Sequence, residues 1–238
     1  MQCDFIVDIG NSNFKVAALK NNEIAQTLRF DKKDSSKLIQ LVQNKNVIIS
    51  NVAANDIHEL LSEKCNLIYI AHSDTKFPFD SEYKTMESWG MDRACNIAAA
   101  IYKFPNKNVL IIDIGTCIKF DFIDETNTYK GGSISPGIRL RFESLAMYTA
   151  KLPLVQPNVD YSLIGNSTSK SILYGVLNGC KNEIQGFIKQ YEAKFEDLKI
   201  IITGGDAFYF DFKEKSNIFA DENLTLIGLH QLYLFNAG

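Results

Sequence analysis

Two short apolar runs, each followed by the same Asp-Ile-Gly tripeptide, are the clearest pattern along the chain. The first is FIVDIG at residues 5–10 and the second is LIIDIG at residues 110–115. A β-branched apolar run that stops at a glycine predicts a buried strand followed by a turn. We predict a tight hairpin with glycine at its first central position after each run. Two further strands are predicted after each turn, at residues 14–19 and 23–30 in the first copy and at residues 118–123 and 129–134 in the second.

Downstream of each set of strands, the pattern changes to alternating helices and strands. After the first set we predict helices at residues 35–43 and 54–64 and strands at residues 46–50 and 67–70. After the second set we predict helices at residues 137–148, 167–195, 206–212 and 224–235 and a strand at residues 199–203. A helix with one apolar face, residues 91–104, leads into the second copy. A βββαβα-type unit that occurs twice predicts two similar α/β domains with a cleft between them, residues 1–106 and 107–238.

Composition and charge narrow the possible functions. The 238 residues carry 25 basic and 28 acidic side chains, and the resulting net charge of −3 disfavours a general nucleic-acid binder. No apolar run approaches the roughly 20 residues that a membrane span needs, and the first residues do not resemble a secretory signal. Five widely spaced cysteines without a CxxC pair disfavour a disulfide framework or a structural zinc site. We therefore expect a cytoplasmic protein that binds neither nucleic acid nor membrane.

The two Asp-Ile-Gly turns are the strongest candidates for chemistry. Asp8 and Asp113 each stand near the end of a predicted buried strand, beside a turn of exposed backbone N–H groups. Such a turn suits a phosphate and its metal ion, since N–H groups bind phosphate oxygens and the carboxylate binds the metal directly or through water. Lys15, on the strand that leaves the first turn, is placed to reach a phosphate. An ordinary turn is the alternative, and the repetition at matching places in both copies disfavours it.

Two glycine-rich segments are further candidates. Residues 131–137 (GGSISPG) and 203–206 (TGGD) are each predicted to open a helix, where backbone N–H groups bind phosphate or the polar edge of a nucleotide. The alternative is that these glycines merely end a neighbouring element. Neither segment is a Walker A sequence, and the chain has no GxGxxG motif, so a dinucleotide fold is disfavoured.

Residues 90–93 (GMDR) place an acid beside a base at the start of the predicted helix 91–104. Because a carboxylate is favourable near a helix N-terminus, one interpretation makes Asp92 a cap and Arg93 a surface charge. The other makes Asp92 a general base. The three histidines are scattered and no GxSxG elbow is present, so a hydrolase-type nucleophile is not indicated.

Together, and in this order, the motifs resemble those of the acetate kinase–sugar kinase–Hsc70–actin superfamily, whose members are duplicated and bind ATP between their halves. Within it the chain resembles the type III pantothenate kinases, through residues 8–12 (DIGNS), 90–93, 113–116 (DIGT), 131–137 and 203–206. The resemblance implies two actin-like, ribonuclease H-like domains. It also implies ATP-dependent phosphorylation of pantothenate to 4′-phosphopantothenate, the first step of coenzyme A biosynthesis.

The resemblance implies a role for each matching residue. Those that would bind ATP are Asp8, Ile9, Gly10, Asn11, Ser12, Asn13, Phe14, Lys15, Thr116, Gly204 and Gly205. Those that would bind pantothenate are Tyr83, Gly90, Met91, Asp92, Arg93 and Thr168. Asp92 would be the general base, Asp113 would bind a monovalent cation (K⁺ or NH₄⁺), and Asp8 would hold Mg²⁺ through phosphate or water. In this family the active form is a homodimer, in which Thr168 would serve the partner's site.

An apolar stripe along the predicted helix 167–195 is assigned to the dimer interface on this resemblance, although such a stripe is more commonly core. Its members are Ile172, Leu173, Val176, Leu177, Cys180, Ile184, Phe187, Ile188 and Tyr191. Three residues depart from the family pattern. Met86 stands where proline is usual, and Cys117 and Lys119 replace small and hydroxylated residues after the second turn.

Two other functions remain as alternatives at this point. A non-catalytic regulator on the same scaffold is disfavoured because it has no need of an intact Asp92 and two Asp-Gly turns. A sugar or acetate kinase of the same superfamily is disfavoured because those relatives are generally longer and do not combine the motifs at residues 90–93 and 131–137.

Overall fold

The computed structural model describes residues 3–10, 13–51, 61, 63–71, 75–86, 89–212 and 216–237, and these form two compact units. Unit 1 contains Met1–Pro105, Asn127–Tyr129 and Asn223–Gly238, and unit 2 contains Asn106–Thr126 and Lys130–Glu222. The expected halves were continuous, whereas residues 223–238 lie in unit 1 together with the N-terminal segment. Within the described residues, no helix is both long enough and apolar enough to cross a membrane.

Unit 1 is built on a five-stranded sheet with the order β3-β2-β1-β4-β5. Its strands are β1 (Phe5–Ile9), β2 (Asn13–Lys20), β3 (Glu23–Asp31), β4 (Asn46–Asn51) and β5 (Asn66–Ala71). The first three are antiparallel, and β4 and β5 continue parallel to β1. Side chains alternate between the faces of a strand, and one face packs on helix α1 (Ser35–Val42) through Val7, Ile9, Phe14, Val16, Leu38 and Val42.

The other face of this sheet packs on two helices, α2 (Met91–Lys103) and α5 (Leu224–Ala237). Their backbones approach closely, because a Cβ added to Gly228 of α5 would lie 1.6 Å from the carbonyl oxygen of Cys95 in α2. One turn away, the buried hydroxyl of Thr225 donates a hydrogen bond of 2.9 Å to Oδ1 of Asn96. The C-terminal helix thus fixes the position of α2 on the sheet.

We expect Gly228→Ala to destabilise the protein, because even a methyl group must push α2 and α5 apart. Overpacking of this kind lowers the free energy of unfolding by about 1–3 kcal/mol. In a chain of this size, each kcal/mol lowers the Tm by about 2–4 °C. Gly186→Ala is the matched control, since a Cβ there meets no atom within 4 Å and alanine favours a helix. Thermal unfolding followed by circular dichroism compares the two, and equal Tm values would refute the close packing.

Unit 2 is built on strands β7 (Val109–Ile114), β8 (Cys117–Ile123), β9 (Thr128–Pro136), β10 (Lys199–Thr203) and β11 (Ile218–Ala220), in the order β11-β10-β7-β8-β9. The first two residues of β9 belong to unit 1, where they pair with β6 (Asp80–Ser81). Helices α3 (Ile138–Tyr148) and α4 (Thr168–Lys194) cover one face of the unit 2 sheet. The fold class is therefore confirmed as α/β with duplicated strand–turn–strand units.

Several details differ from the sequence-based expectations. Gly131 and Gly132 lie inside β9, and only Gly137 precedes a helix. The predicted helix at residues 206–212 is instead a short 3-10 turn at Ala207–Tyr209. The predicted helix 54–64 falls mostly outside the described residues. The apolar stripe of α4 is part of the core of unit 2, so its assignment to an interface is wrong.

Neither hairpin is the expected two-residue turn that begins with glycine. In the first, Ile9 pairs with Phe14, and the N–H of Gly10 donates to the carbonyl of Asn13. In the second, Ile114 pairs with Ile118, which leaves a three-residue loop. Neither Gly10 nor Gly115 has a positive φ. The shifted register brings a lysine opposite each turn aspartate, Lys15 opposite Asp8 and Lys119 opposite Asp113.

Candidate functional site

The first Asp-Ile-Gly turn is served by three adjacent strands of unit 1. Asp8 of β1 pairs in register with Lys15 of β2 and with Ser50 of β4. Residues paired across neighbouring strands point to the same face of a sheet, so these three side chains form one row. The row lies on the face that carries α2, because alternate residues of the same strands pack on that helix.

Helix α2 places Asp92 in its first turn, with Gly90 as the preceding cap residue. Oδ1 of Asp92 accepts a hydrogen bond of 2.9 Å from the backbone N–H of Arg93. A Cβ on Gly90 would lie 2.5 Å from this oxygen, so glycine leaves the room that the carboxylate occupies. The N-terminus of the helix also favours negative charge at this position. The spacing Gly-x-Asp-Arg is thus explained by the local geometry.

Cys95, on α2, is buried against the sheet face that carries Asp8. Burial raises the pKa of Cys95 well above its ordinary value, and the negative charges of Asp8 and Asp92 raise this pKa further. A hydrogen bond with Ser50 acts in the opposite direction on the same pKa. Asp8 and Asp92 thus belong to the sheet and the helix that pack together around this side chain.

Arg93 is buried, with 5% of its surface exposed, so the interpretation as a surface charge is wrong. Its Nη2 donates a hydrogen bond of 2.5 Å to the hydroxyl of Tyr129. Its guanidinium carbon lies 5.3 Å from the ring centroid of Tyr83 and 5.9 Å from that of Tyr129. These distances suit cation–π attraction. The ring of Trp89 stacks on Tyr129 with the centroids 4.8 Å apart.

Sequence reasoning did not identify Tyr129 as a site residue. It lies 36 positions from Arg93, and its one sequence signal is its place on the predicted third strand of the second copy. Trp89 directly precedes Gly90 in the sequence. Its Nε1–H is buried and has no hydrogen-bond acceptor among the described residues, although buried donors in proteins are normally paired. Arg93, Tyr83, Tyr129 and Trp89 form what we call the aromatic–arginine cluster.

The second Asp-Ile-Gly turn, in unit 2, is packed against two motif glycines. A Cβ on Gly204, whose φ is +99°, would lie 2.3 Å from the carbonyl oxygen of Ile114 and 2.6 Å from Oδ1 of Asp113. A Cβ on Gly137 would lie 2.1 Å from the carbonyl oxygen of Gly115. Glycines of three separate motifs therefore meet at one turn, where the backbone of the turn occupies the space that a side chain at Gly137 or Gly204 would need.

Asp113 forms an ion pair with Lys119, since Nζ lies 2.7 Å from Oδ2 of the carboxylate. Both side chains are largely buried, with 16% and 14% of their surfaces exposed for Lys119 and Asp113. A monovalent cation bound to the same carboxylate would lie close to this ammonium. Two such charges about 4 Å apart repel by about 4 kcal/mol at an effective dielectric constant of about 20. The residues present therefore do not fit a monovalent cation at Asp113.

The remaining expected site residues occupy varied positions. Ile9 and Phe14 are core residues, so only their backbones can face a ligand. Met91 is half-buried, and Thr168 is the exposed first residue of α4. The N–H of Asp206 donates to the carbonyl of Ile114, so it is not available at the start of a helix. Asn11 and Ser12 lie outside the described residues.

Comparison with known proteins decides the family. The model of the type III pantothenate kinase family matches residues 5–190. The chain belongs to the type III pantothenate kinase family. Relatives of that name from Flavobacterium psychrophilum and Christiangramia forsetii are each 41% identical to it, over 96% and 98% of this chain and 98% of each relative. A type III pantothenate kinase from Bacteroides fragilis is 36% identical over 99% of both chains.

Solved structures support the same fold. A conserved protein from Campylobacter jejuni, assigned to the Baf family of transcriptional activators, has a TM-score of 0.66 at 23% identity and covers 98% of both chains. The activator of 2-hydroxyisocaproyl-CoA dehydratase from Clostridium difficile, with bound ADPNP, has a TM-score of 0.52 at 12% identity and covers 99% of this chain and 95% of that chain. At these identities the likeness shows the fold alone, so the transcriptional role of the first is not transferred to this member of the type III pantothenate kinase family.

Proposed function

We propose that this protein transfers the γ-phosphoryl group of ATP to the 4′-hydroxyl of pantothenate. The observation that carries the proposal is that Asp8 lies on the sheet face that packs on α2, the helix that bears Asp92. A phosphate-binding turn and a base must be neighbours if a phosphoryl group is to pass between their ligands. The family match over most of the chain supplies the substrates. It also disfavours a non-catalytic regulator and a sugar or acetate kinase.

Asp92 is proposed as the general base. Its Oδ1 is oriented by the N–H of Arg93, and a carboxylate keeps lone pairs for the proton of the substrate hydroxyl. As that proton moves to Asp92, the hydroxyl oxygen attacks the γ-phosphorus and the β–γ bridging bond to ADP breaks. A positioned base contributes about 100- to 10,000-fold to such a step. Lys15, in the row with Asp8, binds the transferred phosphate oxygens.

The aromatic–arginine cluster is proposed to hold pantothenate. The guanidinium of Arg93 can donate hydrogen bonds to a carboxylate or to a phosphate oxygen. The rings of Tyr83 and Tyr129 pack against the guanidinium and fix its orientation. The Nε1–H of Trp89 is a buried donor that a polar substrate would satisfy. Pantothenate carries a carboxylate, an amide and hydroxyls, so its chemistry suits these donors.

Asp8 fits a magnesium ion that arrives with ATP. Mg²⁺ is commonly held by one or two carboxylates together with substrate phosphates and water, so a single aspartate near the phosphate turn suffices. The described residues contain no cluster of three or more acidic, His or Cys side chains that would hold a metal by themselves. When bound, Mg²⁺ neutralises phosphate charge.

A cytoplasmic location stays a prediction from composition.

We expect ATP to protect Cys117, which follows Thr116 in the second turn. Burial raises the pKa of Cys3 to about 12 and that of Cys180 to about 11, and since the thiolate is the reactive form, these react slowly at pH 8. Cys65 and Cys95 are also buried, whereas Cys117 is half-buried. A maleimide should label Cys117 first, and a non-hydrolysable ATP analogue at about ten times its Kd should slow this labelling about tenfold. Mass spectrometry of tryptic peptides identifies the labelled cysteine, and unchanged labelling would argue against ATP at this turn.

A homodimer is proposed on a surface different from the apolar stripe of α4. Large apolar side chains are exposed within residues 147–164, among them Met147, Tyr148, Leu163 and Ile164 at 77–82%. Exposed apolar groups in such density mark an interaction surface. Thr168 follows this segment and is itself exposed, so an interface on this segment would include Thr168.

The proposed activity is tested by incubating the purified protein with ATP, Mg²⁺ and D-pantothenate. Mass spectrometry should detect 4′-phosphopantothenate and ADP in equal amounts. Glucose and acetate, offered separately under the same conditions, should give no phosphorylated product. Phosphorylation of either in place of pantothenate would move the protein to another kinase of the superfamily.

A further inference from the structure

The carboxylate of Asp113 is bound by a cation that belongs to the chain itself. In register, Asp113 of β7 lies opposite Lys119 of β8 and beside Thr203 of β10. The three side chains therefore share one face of the unit 2 sheet, with Asp113 in the middle. Nζ of Lys119 lies 2.7 Å from Oδ2 of Asp113, which is the length of a charge-assisted hydrogen bond.

Both oxygens of the Asp113 carboxylate have close neighbours. Oδ2 contacts the ammonium of Lys119, and Oδ1 lies against the backbone of Gly204, where a Cβ would be 2.6 Å away. The left-handed φ of Gly204 lets the backbone take this place. A further cation would have to displace the lysine from a position in which its side chain is largely buried.

The position of Lys119 is set by the fold rather than by a mobile surface chain. The three-residue loop at residues 115–117 fixes the register of β7 and β8, and Ile114 and Ile118 beside it are core residues. The exposed fraction of the Lys119 side chain is only 16%, so water screens this charge less than it would on the surface. The fold therefore holds the ammonium of Lys119 next to the turn.

We propose that the ammonium of Lys119 replaces the monovalent cation expected at Asp113, so that this kinase works without potassium or ammonium ions. The proposal rests on the proposed function for its rate measurements, since the site in question is that of ATP. Lys119 does not need to contact ATP. Its charge affects ATP binding through the ion pair with Asp113 and through the position of the turn, so Lys119 is a positioning residue.

The first test compares cations on the unaltered protein. The Kd of a non-hydrolysable ATP analogue with Mg²⁺ is measured by calorimetry in sodium, potassium and ammonium chloride at equal ionic strength. We expect values that agree within about twofold, because the fixed ammonium already provides the charge. Tightening of about tenfold or more in potassium would overturn the proposal. This binding measurement is decisive even if pantothenate proves not to be the substrate.

The second test asks whether removal of the Lys119 charge makes ATP binding depend on a monovalent cation. In Lys119→Gln we expect the Kd of the analogue and kcat/KM for ATP to worsen about tenfold or more in sodium, and potassium or ammonium to restore most of the loss. Lys130→Gln is the matched control, because Lys130 of β9 also pairs with an aspartate of unit 2, Asp124 at 3.1 Å, but at the connection between β8 and β9 rather than at the Asp-Ile-Gly turn. This control should remain insensitive to the cation.

Recovery by an added cation separates the proposal from a purely structural role, since a misfolded or merely weakened variant is not repaired by potassium rather than sodium. A folded Lys119→Gln variant that loses affinity equally in all three salts would overturn the proposal. If that variant does not fold, Lys119→Arg keeps the charge and must bind the analogue independently of the cation. Absence of phosphopantothenate from the unaltered protein would instead refute the proposed function.

Discussion

Asp92→Asn should lower kcat for pantothenate phosphorylation by about 100- to 10,000-fold, with a small change in the KM of ATP. The amide oxygen of asparagine can still accept the hydrogen bond from the N–H of Arg93, so the first turn of α2 keeps its geometry. The amide cannot take a proton from the substrate hydroxyl. Steady-state kinetics with a coupled ADP assay measures the loss.

Asp31→Asn is the control for this experiment. Asp31 ends β3 and makes an exposed ion pair with Lys33, and exposed pairs of this kind contribute little. The control should keep its full rate, and both variants should unfold at the Tm of the parent protein. If Asp92→Asn retained more than about a tenth of the parent kcat, Asp92 would not be the base.

Mixing two inactive variants should restore activity if Thr168 serves the site of the partner. After subunit exchange between Asp92→Asn and Thr168→Val, about half of the dimers are mixed. Each mixed dimer contains one site with both lesions and one with neither, because a two-fold dimer pairs the same surface on both subunits. The mixture should therefore reach about a quarter of the parent activity, starting from nearly none.

A second mixture controls for effects other than sharing of the site. Asp92→Asn mixed with Lys15→Met combines two lesions within unit 1, so every site in a mixed dimer keeps one of them and activity should stay absent. Native mass spectrometry of subunits of unequal tag length verifies exchange. A mixture of Asp92→Asn and Thr168→Val that exchanges completely but remains inactive would show that Thr168 does not act across the interface.

The apolar runs at residues 5–10 and 110–115 were sufficient to predict the strands of both units, since buried strands are specified by local pattern. The family motifs likewise predicted that the acid at position 92 belongs with a phosphate turn. The aromatic–arginine cluster was not predictable to the same degree. Its members Arg93 and Tyr129 are joined only by tertiary packing, and no periodicity links positions that far apart.

Hairpin register is the other feature that sequence reasoning missed. With two central residues at positions 115 and 116, Asp113 would lie opposite Ile118, and Lys119 would point to the other face of the sheet. The actual loop is one residue longer, so Lys119 comes opposite Asp113. A one-residue difference in a loop exchanges the faces of a whole strand, which is why the ion pair depends on loop geometry that composition does not reveal.

The place of α5 also affects how the protein is made. This helix follows all of unit 2 in the sequence, yet it packs on α2 beside the first strands. The residues of α5 are synthesised after those of unit 2. The sheet face and α2 that this helix covers therefore stay uncovered while unit 2 is synthesised. Domains that fold during synthesis normally close in order from the N-terminus. Here unit 2 can close first, and the helix that bears Asp92 reaches its final position only after α5 has been synthesised.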